Sequence, residues 1–184
     1  MPNEEDFESI VGKWLEELIK SVQSDPDWPL RLRREQTMKG DSGNNHRIDF
    51  VIEGVGRPKN LNELLSAVRE SKGKDSITAV NRLIESFRYD PKILVEVKGM
   101  GFRGEKPTEQ TYREHMLRAY AYLGDFRKQI DKQKYVIVSY KIAKHRRFDY
   151  ESYLSSIDVH LLDYNNPKER SALEDRIRKL EEEG

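Results

Sequence analysis

The chain contains no cysteine, which excludes a disulfide framework, a zinc–thiolate site and a cysteine nucleophile. Only four histidines occur among 184 residues, and they are scattered, so a histidine-rich metal centre is disfavoured. No apolar run approaches the roughly 18 residues that a membrane-spanning helix needs, and the acidic N-terminus lacks a signal-peptide pattern. These absences predict a cytoplasmic protein, and the length fits one domain over residues 1–184.

Neither sign of charge is in excess. The 33 Lys and Arg residues balance 33 Asp and Glu residues, so the chain has no overall basic signature of a nucleic-acid-binding protein. Positive charge is instead gathered in short runs, each of which suits either phosphate contact or a solvated surface. The runs are Arg31 to Arg34, Lys98 to Arg103 and Lys141 to Arg147.

The segment from Ile93 to Gly99 carries the most information about chemistry. It is an apolar, β-branched run typical of a buried strand, interrupted by Glu96 and Lys98. These two residues are two positions apart, so they project from the same face of the strand. Burying a carboxylate and an ammonium is costly unless they pair with each other or hold a metal.

A second strand is predicted from His46 to Ile52, with alternate apolar residues on one face and Asp49 on the other. If the two strands are neighbours in a sheet, Asp49, Glu96 and Lys98 converge on one patch. Two carboxylates in one place repel each other, and a hard divalent cation such as Mg²⁺ relieves that repulsion. The alternative is a surface ion network, in which the two carboxylates form salt bridges to Arg47 or Lys98, with Lys98 as the partner of Glu96.

The rest of the pattern predicts how these strands are framed. Amphipathic periodicity predicts a first helix from Glu4 to Gln23 that packs against a sheet. Strands are predicted at Leu30 to Thr37, Tyr135 to Tyr140 and Ile157 to Asp163, and a long helix at Thr108 to Ile130. The expected fold class is therefore α/β, with a central mixed sheet of four to five strands flanked by helices.

Two further segments are predicted to be helical. Residues 56–91 lie between the two motif strands, and their pattern predicts a helical insertion that binds DNA, a partner or the core. A C-terminal helix is predicted at residues 167–183, with Asn166 as its cap, Pro167 at its first position and Glu169 as the reciprocal capping residue. Its apolar face is thin, so we expect it to pack loosely or to pair with another subunit.

An Asp on one strand, followed by Glu-x-Lys on the next, resembles the motif of the PD-(D/E)xK nuclease superfamily, which includes restriction endonucleases and Holliday-junction resolvases. The matching residues are Asp49, Glu96 and Lys98, and Ile48 stands where the proline of the motif would be. The predicted order of helices and strands is similar to that of the superfamily core. The resemblance extends from the first helix to about Tyr140, and it implies a restriction-endonuclease-like core.

The resemblance also implies roles for the motif residues. Asp49, Glu96 and the backbone carbonyl of Val97 would bind Mg²⁺, for which Mn²⁺ is expected to substitute. Lys98 would position the attacking water or support negative charge on the phosphate.

Accessory residues are implied on the two helices that flank the motif. Glu8 on the first helix is expected to face the site, with Glu16 and Glu17 as alternatives, and Gln110 opens the helix that follows the Glu-x-Lys strand. Basic side chains in the two loops near these elements are expected to join Gln110 in contacting nucleic acid. They are Arg103, Lys144, Arg146 and Arg147.

The function expected from these residues is metal-dependent hydrolysis of phosphodiester bonds in DNA. An endonuclease is favoured, and a homodimer is expected because double-strand cleavage usually needs two active sites. RNA remains open as a substrate, as does the shape of the nucleic acid. The alternative is a catalytically inactive nucleic-acid-binding or protein-interaction domain of the same fold.

Overall fold

The secondary structure of the chain is known from a computed structural model, which describes residues 4–22, 30–58, 62, 65–66, 68–69, 87–99, 109–126, 128, 135–140 and 159–182. The helices are α1 (Glu4–Val22), α2 (Glu109–Gly124) and α3 (Pro167–Glu182). The strands are β1 (Arg31–Lys39), β2 (Asn45–Pro58), β3 (Phe87–Lys98), β4 (Tyr135–Ser139) and β5 (Val159–Asp163).

The five strands form one open sheet in the order β1-β2-β3-β4-β5. β1, β2 and β3 are antiparallel neighbours, whereas β4 pairs parallel with β3 and β5 pairs parallel with β4. Since parallel neighbours need a crossover connection, α2 lies in the chain between β3 and β4. The prediction of an α/β fold with a mixed sheet of four to five strands is confirmed, as is the order of its elements.

The two central strands are longer than predicted. The sequence prediction ended β2 near Ile52 and began β3 at Ile93, but Gly54 pairs with Asp90 and Val55 pairs with Tyr89. The strand pattern was hidden by Pro91, which a regular central strand does not tolerate. It is accommodated here because it pairs with Glu53 directly beside a register shift of the ladder. The insertion therefore has strand at both of its ends, and nearly all of residues 59–86 lie outside the described residues.

One face of the sheet packs against α1. Phe7, Val11, Leu15 and Leu18 recur at helical spacing and are buried against strand residues such as Val95. The amphipathic prediction for α1 is confirmed in its bounds and in most of its apolar stripe. Ile10 lies at the margin of this stripe, and its side chain is 39% exposed.

The C-terminal helix packs against the same core, contrary to the expectation of loose packing. Leu173 and Ile177 are fully buried in the cluster that contains α1. The start of α3 is fixed by Asn166, whose side-chain oxygen accepts a hydrogen bond from the Lys168 backbone N–H at 3.1 Å. The side-chain amide of Asn166 donates a hydrogen bond to Glu169 at 2.7 Å, whereas the Asn166 backbone N–H donates to the Asp163 carbonyl at 3.0 Å. The prediction of Asn166 as the cap is thus confirmed, but Glu169 does not accept the backbone bond of a capping box.

The turn between β1 and β2 is fixed to the C-terminal end of α2. Asp125 follows that helix, and its carboxylate accepts hydrogen bonds from the Ser42 backbone N–H and hydroxyl at 2.8 and 2.6 Å. His46 lies 2.6 Å from the same carboxylate, and its ring packs against Phe126. α2 was predicted to run on to Ile130 but ends at Gly124, because the next residue makes these tertiary bonds. Across the described helices, none is long and apolar enough to cross a membrane.

Candidate active site

Asp49 and Glu96 lie where β2 and β3 stop pairing. The antiparallel ladder ends at the pair Phe50 and Val95, whose side chains are buried on the α1 face. The next residues outward are Asp49 on β2 and Glu96 on β3, and alternation places both on the opposite face. Across the gap, the Asp49 Oδ2 atom accepts a hydrogen bond from the Val97 backbone N–H at 2.7 Å. The structure thus brings Asp49 to the Glu-x-Lys segment, as the sequence predicted.

The other neighbour of β2 is also irregular at this level. β1 pairs with β2 through Arg34 and Phe50 and again through Gln36 and Ile48, so Glu35 lies opposite Asp49. Glu35 has a φ of 47°, in the left-handed region that a glutamate seldom adopts. Regular strand geometry is therefore interrupted on both sides of Asp49, a kind of departure that clusters at functional sites.

The two charged residues of β3 form a tight ion pair. The Lys98 Nζ atom lies 2.6 Å from the Glu96 Oε1 atom, and the two side chains are 15% and 6% exposed. Arg47, the other basic residue that the alternative offered to these carboxylates, lies 2.7 Å from Glu35 in an exposed pair. The predicted pairing of Glu96 with Lys98 is present. Because both side chains are largely buried, each charge is stabilised by the other in place of water.

Glu96 is left with one carboxylate oxygen unsatisfied. Its Oε2 atom is buried and has no hydrogen-bond partner among the described residues. Burial is the main cause that raises the pKa of Glu96 to about 6; Lys98 opposes the rise, and the charges of Asp49 and Glu8 add to it. Glu8 on α1 is thus close enough for its charge to act on Glu96, and a direct role for Glu8 in the site stays a prediction.

These residues suit a hard divalent cation by their donor chemistry. A buried carboxylate oxygen without a partner, next to a second carboxylate, is the kind of oxygen set that Mg²⁺ takes with waters and phosphate oxygens. In the part of the chain that the structure describes, no three His, Asp or Glu side chains are already gathered as a ligand set.

The other candidate carboxylates have different partners. Glu16 lies 2.7 Å from the Arg34 guanidinium, on the exposed side of α1. Glu53, the other carboxylate on the Asp49 face of β2, binds Arg31 in a salt bridge.

The accessory nucleic-acid contacts are only partly described. Gln110 is exposed at the start of α2, and its side-chain amide donates to Glu114 at 3.1 Å. Four basic residues that were expected to contact nucleic acid lie outside the described residues. They are Arg103, Lys144, Arg146 and Arg147.

Two residues near the motif were missed by the sequence analysis. Glu35 gave no signal, because backbone strain at one strand position leaves no mark in composition or periodicity. Ser139 is fully buried, and its hydroxyl has no hydrogen-bond partner among the described residues. Its signal was available, since it is the one polar residue that ends the apolar run of β4.

Comparison of the chain with protein-family models, with curated proteins and with solved structures finds no match. Function must therefore be argued from the arrangement of Asp49, Glu96 and Lys98 itself.

Proposed function

We propose that this protein is a metal-dependent DNA nuclease with a restriction-endonuclease-like core of the PD-(D/E)xK type. The observation that carries the proposal is the meeting of Asp49 with the Glu96–Lys98 segment where β2 and β3 part. The Glu96 Oε2 atom is buried there without a hydrogen-bond partner from the described residues, which is costly for the fold, and a role in binding a cation explains why it is there.

The topology supports the same proposal. α1 precedes three antiparallel strands, and α2 then connects β3 to the parallel strand β4. This is the core order that the resemblance implies, and it puts the motif on two adjacent strands in the middle of the sheet. Side chains on central strands are held more rigidly than side chains on loops, which suits a site that must fix a cation and a phosphate.

In this mechanism, Asp49, Glu96 and the Val97 carbonyl would hold Mg²⁺ or Mn²⁺. The bound cation supplies Lewis-acid polarisation of the phosphate and a lowered pKa of water. Lys98 donates a hydrogen bond to the attacking water and stabilises the negative charge that develops on the phosphate oxygens. Glu8 keeps negative charge near Glu96, which favours cation binding.

The substrate proposed is DNA, with RNA as an open second choice. A homodimer would supply two sites for cutting both strands of a duplex. The interface of such a dimer does not involve the apolar side chains of Leu173 and Ile177, because the core of the same chain buries them. The insertion after β2 is the remaining candidate interface.

A second candidate function is a catalytically inactive nucleic-acid-binding or protein-interaction domain of the same fold. One observation favours it: Lys98 already neutralises Glu96 at 2.6 Å, as the ion-network alternative predicted. In that case the buried pair would fix the end of the sheet, and cations would have no effect on the protein.

A cleavage assay separates the two candidates. Supercoiled plasmid, linear duplex, a four-way junction and single strands are each incubated with the protein in Mg²⁺, Mn²⁺ or EDTA. The test variant is Glu96→Gln, which keeps the shape of the side chain and removes its charge. The matched control is Glu53→Gln, a carboxylate that lies on β2 with Asp49 but is paired with Arg31.

The nuclease proposal expects cutting that requires the cation, is lost in Glu96→Gln and persists in Glu53→Gln. A folded parent protein that cuts none of these substrates, or a Glu96→Gln variant that cuts as the parent does, would overturn it. RNA of matched sequence is included, so that a ribonuclease is recognised as such.

A further inference from the structure

Ser139 is the second buried polar residue near the motif, after Glu96. Its side chain is fully buried at the end of β4, and its hydroxyl has no hydrogen-bond partner within the described residues. A buried hydroxyl without a partner lowers stability, so natural structures contain few of them. Alanine would fit the same space without that cost, which suggests that the hydroxyl has a use.

The parallel register places Ser139 beside Lys98. β3 and β4 pair through Glu96 and Ile137 and then through Lys98 and Ser139. Paired residues of adjacent strands project from the same face, and the strands are about 4.8 Å apart. The face that carries the Glu96–Lys98 ion pair therefore also carries the Ser139 hydroxyl, one strand away.

The ion pair and the cation compete for the same carboxylate. Lys98 lies 2.6 Å from the Glu96 Oε1 atom, and its side chain is largely buried. A divalent cation on Glu96 brings a second positive charge next to the ammonium, and the two repel each other strongly where water is scarce. The ammonium then needs another acceptor, because a buried charge without hydrogen bonds is costly.

We propose that Ser139 is a positioning residue that accepts a hydrogen bond from the Lys98 ammonium when Glu96 binds a divalent cation. The hydroxyl holds Lys98 on the site face, next to the position of the phosphate, and lowers the cost of separating the ion pair. The inference rests on the proposed function, because it assumes that Glu96 binds a cation. It assigns Ser139 a role through Lys98 and no contact with the reacting atoms.

The test is a double-mutant cycle on cation affinity, which does not depend on cleavage. Mn²⁺ alone is titrated into the parent, Ser139→Ala, Lys98→Met and the double variant, and free Mn²⁺ is followed by electron paramagnetic resonance. Ser139→Cys is a second variant that keeps the volume of the side chain but offers a weak acceptor. Ile137→Val is the matched control, a buried truncation on the same face of the same strand.

We expect Ser139→Ala to raise the Kd for Mn²⁺ about tenfold, the effect of losing one hydrogen bond to a charged group. In the Lys98→Met background the same substitution should change the Kd by less than about twofold, since the ammonium that the hydroxyl serves is gone. Ser139→Cys should behave like Ser139→Ala, and Ile137→Val should leave the Kd unchanged in both backgrounds.

Two outcomes would overturn the inference, and they differ in what else they affect. If the parent cuts DNA and Ser139→Ala has the same effect with and without Lys98, or none, the role of Ser139 is wrong and the nuclease proposal stands. If the parent neither cuts nucleic acid nor binds Mn²⁺, the nuclease proposal fails, and the inference about Ser139 fails with it.

Discussion

The Val97 backbone N–H donates a hydrogen bond to the Asp49 carboxylate at 2.7 Å, across the point where β2 and β3 stop pairing. Asp49 therefore does two things at once. It satisfies an amide that regular sheet pairing would otherwise bind, and it places negative charge near Glu96, whose pKa it raises. Substitutions of Asp49 must separate these two effects.

The pair Asp49→Asn and Asp49→Ala makes this separation. Asn keeps a side-chain oxygen for the Val97 N–H and removes the repulsion from Glu96, so we expect its free energy of unfolding to equal or exceed that of the parent. Ala leaves the buried amide unpaired and should cost about 1–3 kcal/mol.

Urea unfolding in EDTA measures the free energy of unfolding of both variants. When Mg²⁺ replaces EDTA, neither variant should be stabilised by the cation, and neither should cleave DNA. Equal stability of Asn and Ala would mean that the bond to Val97 contributes nothing to the fold.

The raised pKa of Glu96 gives stability a defined pH dependence. The folded protein holds the Glu96 proton up to about pH 6, whereas the ordinary value is 4.5. The stability that the folded protein gains from holding this proton is therefore complete below about pH 4.5, and it is lost as the pH rises through about 6. A shift of this size corresponds to a loss on the order of 2 kcal/mol.

Glu96→Gln is the control that isolates this effect, because Gln resembles the protonated acid at every pH. The free energy of unfolding of the parent, minus that of Glu96→Gln, should fall between about pH 4.5 and pH 7 in EDTA. A difference that stays flat or rises over this range would show that Glu96 is not held in a desolvated site.

The convergence of the motif could be predicted because it depends on local rules. Because side chains alternate along a strand, Glu96 and Lys98 had to share a face of β3. The apolar pattern of β2 likewise predicted that Asp49 projects away from the α1 core. The one assumption was that β2 and β3 are neighbours, which holds in the structure. The unpartnered Glu96 oxygen and the ion pair then follow from burial of that face.

What escaped the sequence analysis depends on contacts between distant segments. Pro91 was predicted to end the insertion, because proline is unfavourable in a central strand. β3 accommodates it only through a register shift against β2, which the sequence does not reveal. The thin apolar face of α3 predicted a loosely packed tail, but Leu173 and Ile177 are buried in the same cluster as α1 and the sheet. Glu35 adopts its left-handed φ through pairing on either side, and no local pattern specifies that.

The bonds around Asp125 should make the turn between β1 and β2 sensitive to acid. Hydrogen bonds from Ser42 and His46 lower the pKa of Asp125 below its ordinary value of 3.8. The stabilisation is therefore present above that value and is lost as the pH falls through the lower pKa of the folded state. Asp125→Asn should lower the melting temperature at pH 7, and the gap to the parent should close below about pH 3.8.

Two comparisons check this reading of the turn. Glu174→Gln alters only an exposed pair with Arg178 on α3 and should shift the melting temperature little. Gly40→Ala should destabilise the turn as Asp125→Asn does, because a Cβ at Gly40 would lie 2.0 Å from the Asp125 carboxylate. A gap that persists unchanged into acid would show that the charge of Asp125 is not what holds the turn.

The burial of α3 gives the last prediction, which decides whether the C-terminal helix belongs to the core or to an interface. Leu173 and Ile177 are 0% exposed within a single chain, so replacing either with Ala should lower the free energy of unfolding by about 2–5 kcal/mol. Arg178→Ala removes an exposed pair from the same helix and should change the free energy of unfolding by less than about 0.5 kcal/mol.

Guanidinium unfolding at protein concentrations that differ by about a hundredfold distinguishes a helix in the core from a helix in an interface. A helix in the core of its own chain gives the same midpoint at every concentration, whereas a helix held only by a second subunit gives a midpoint that rises with concentration, because association stabilises the folded state by mass action.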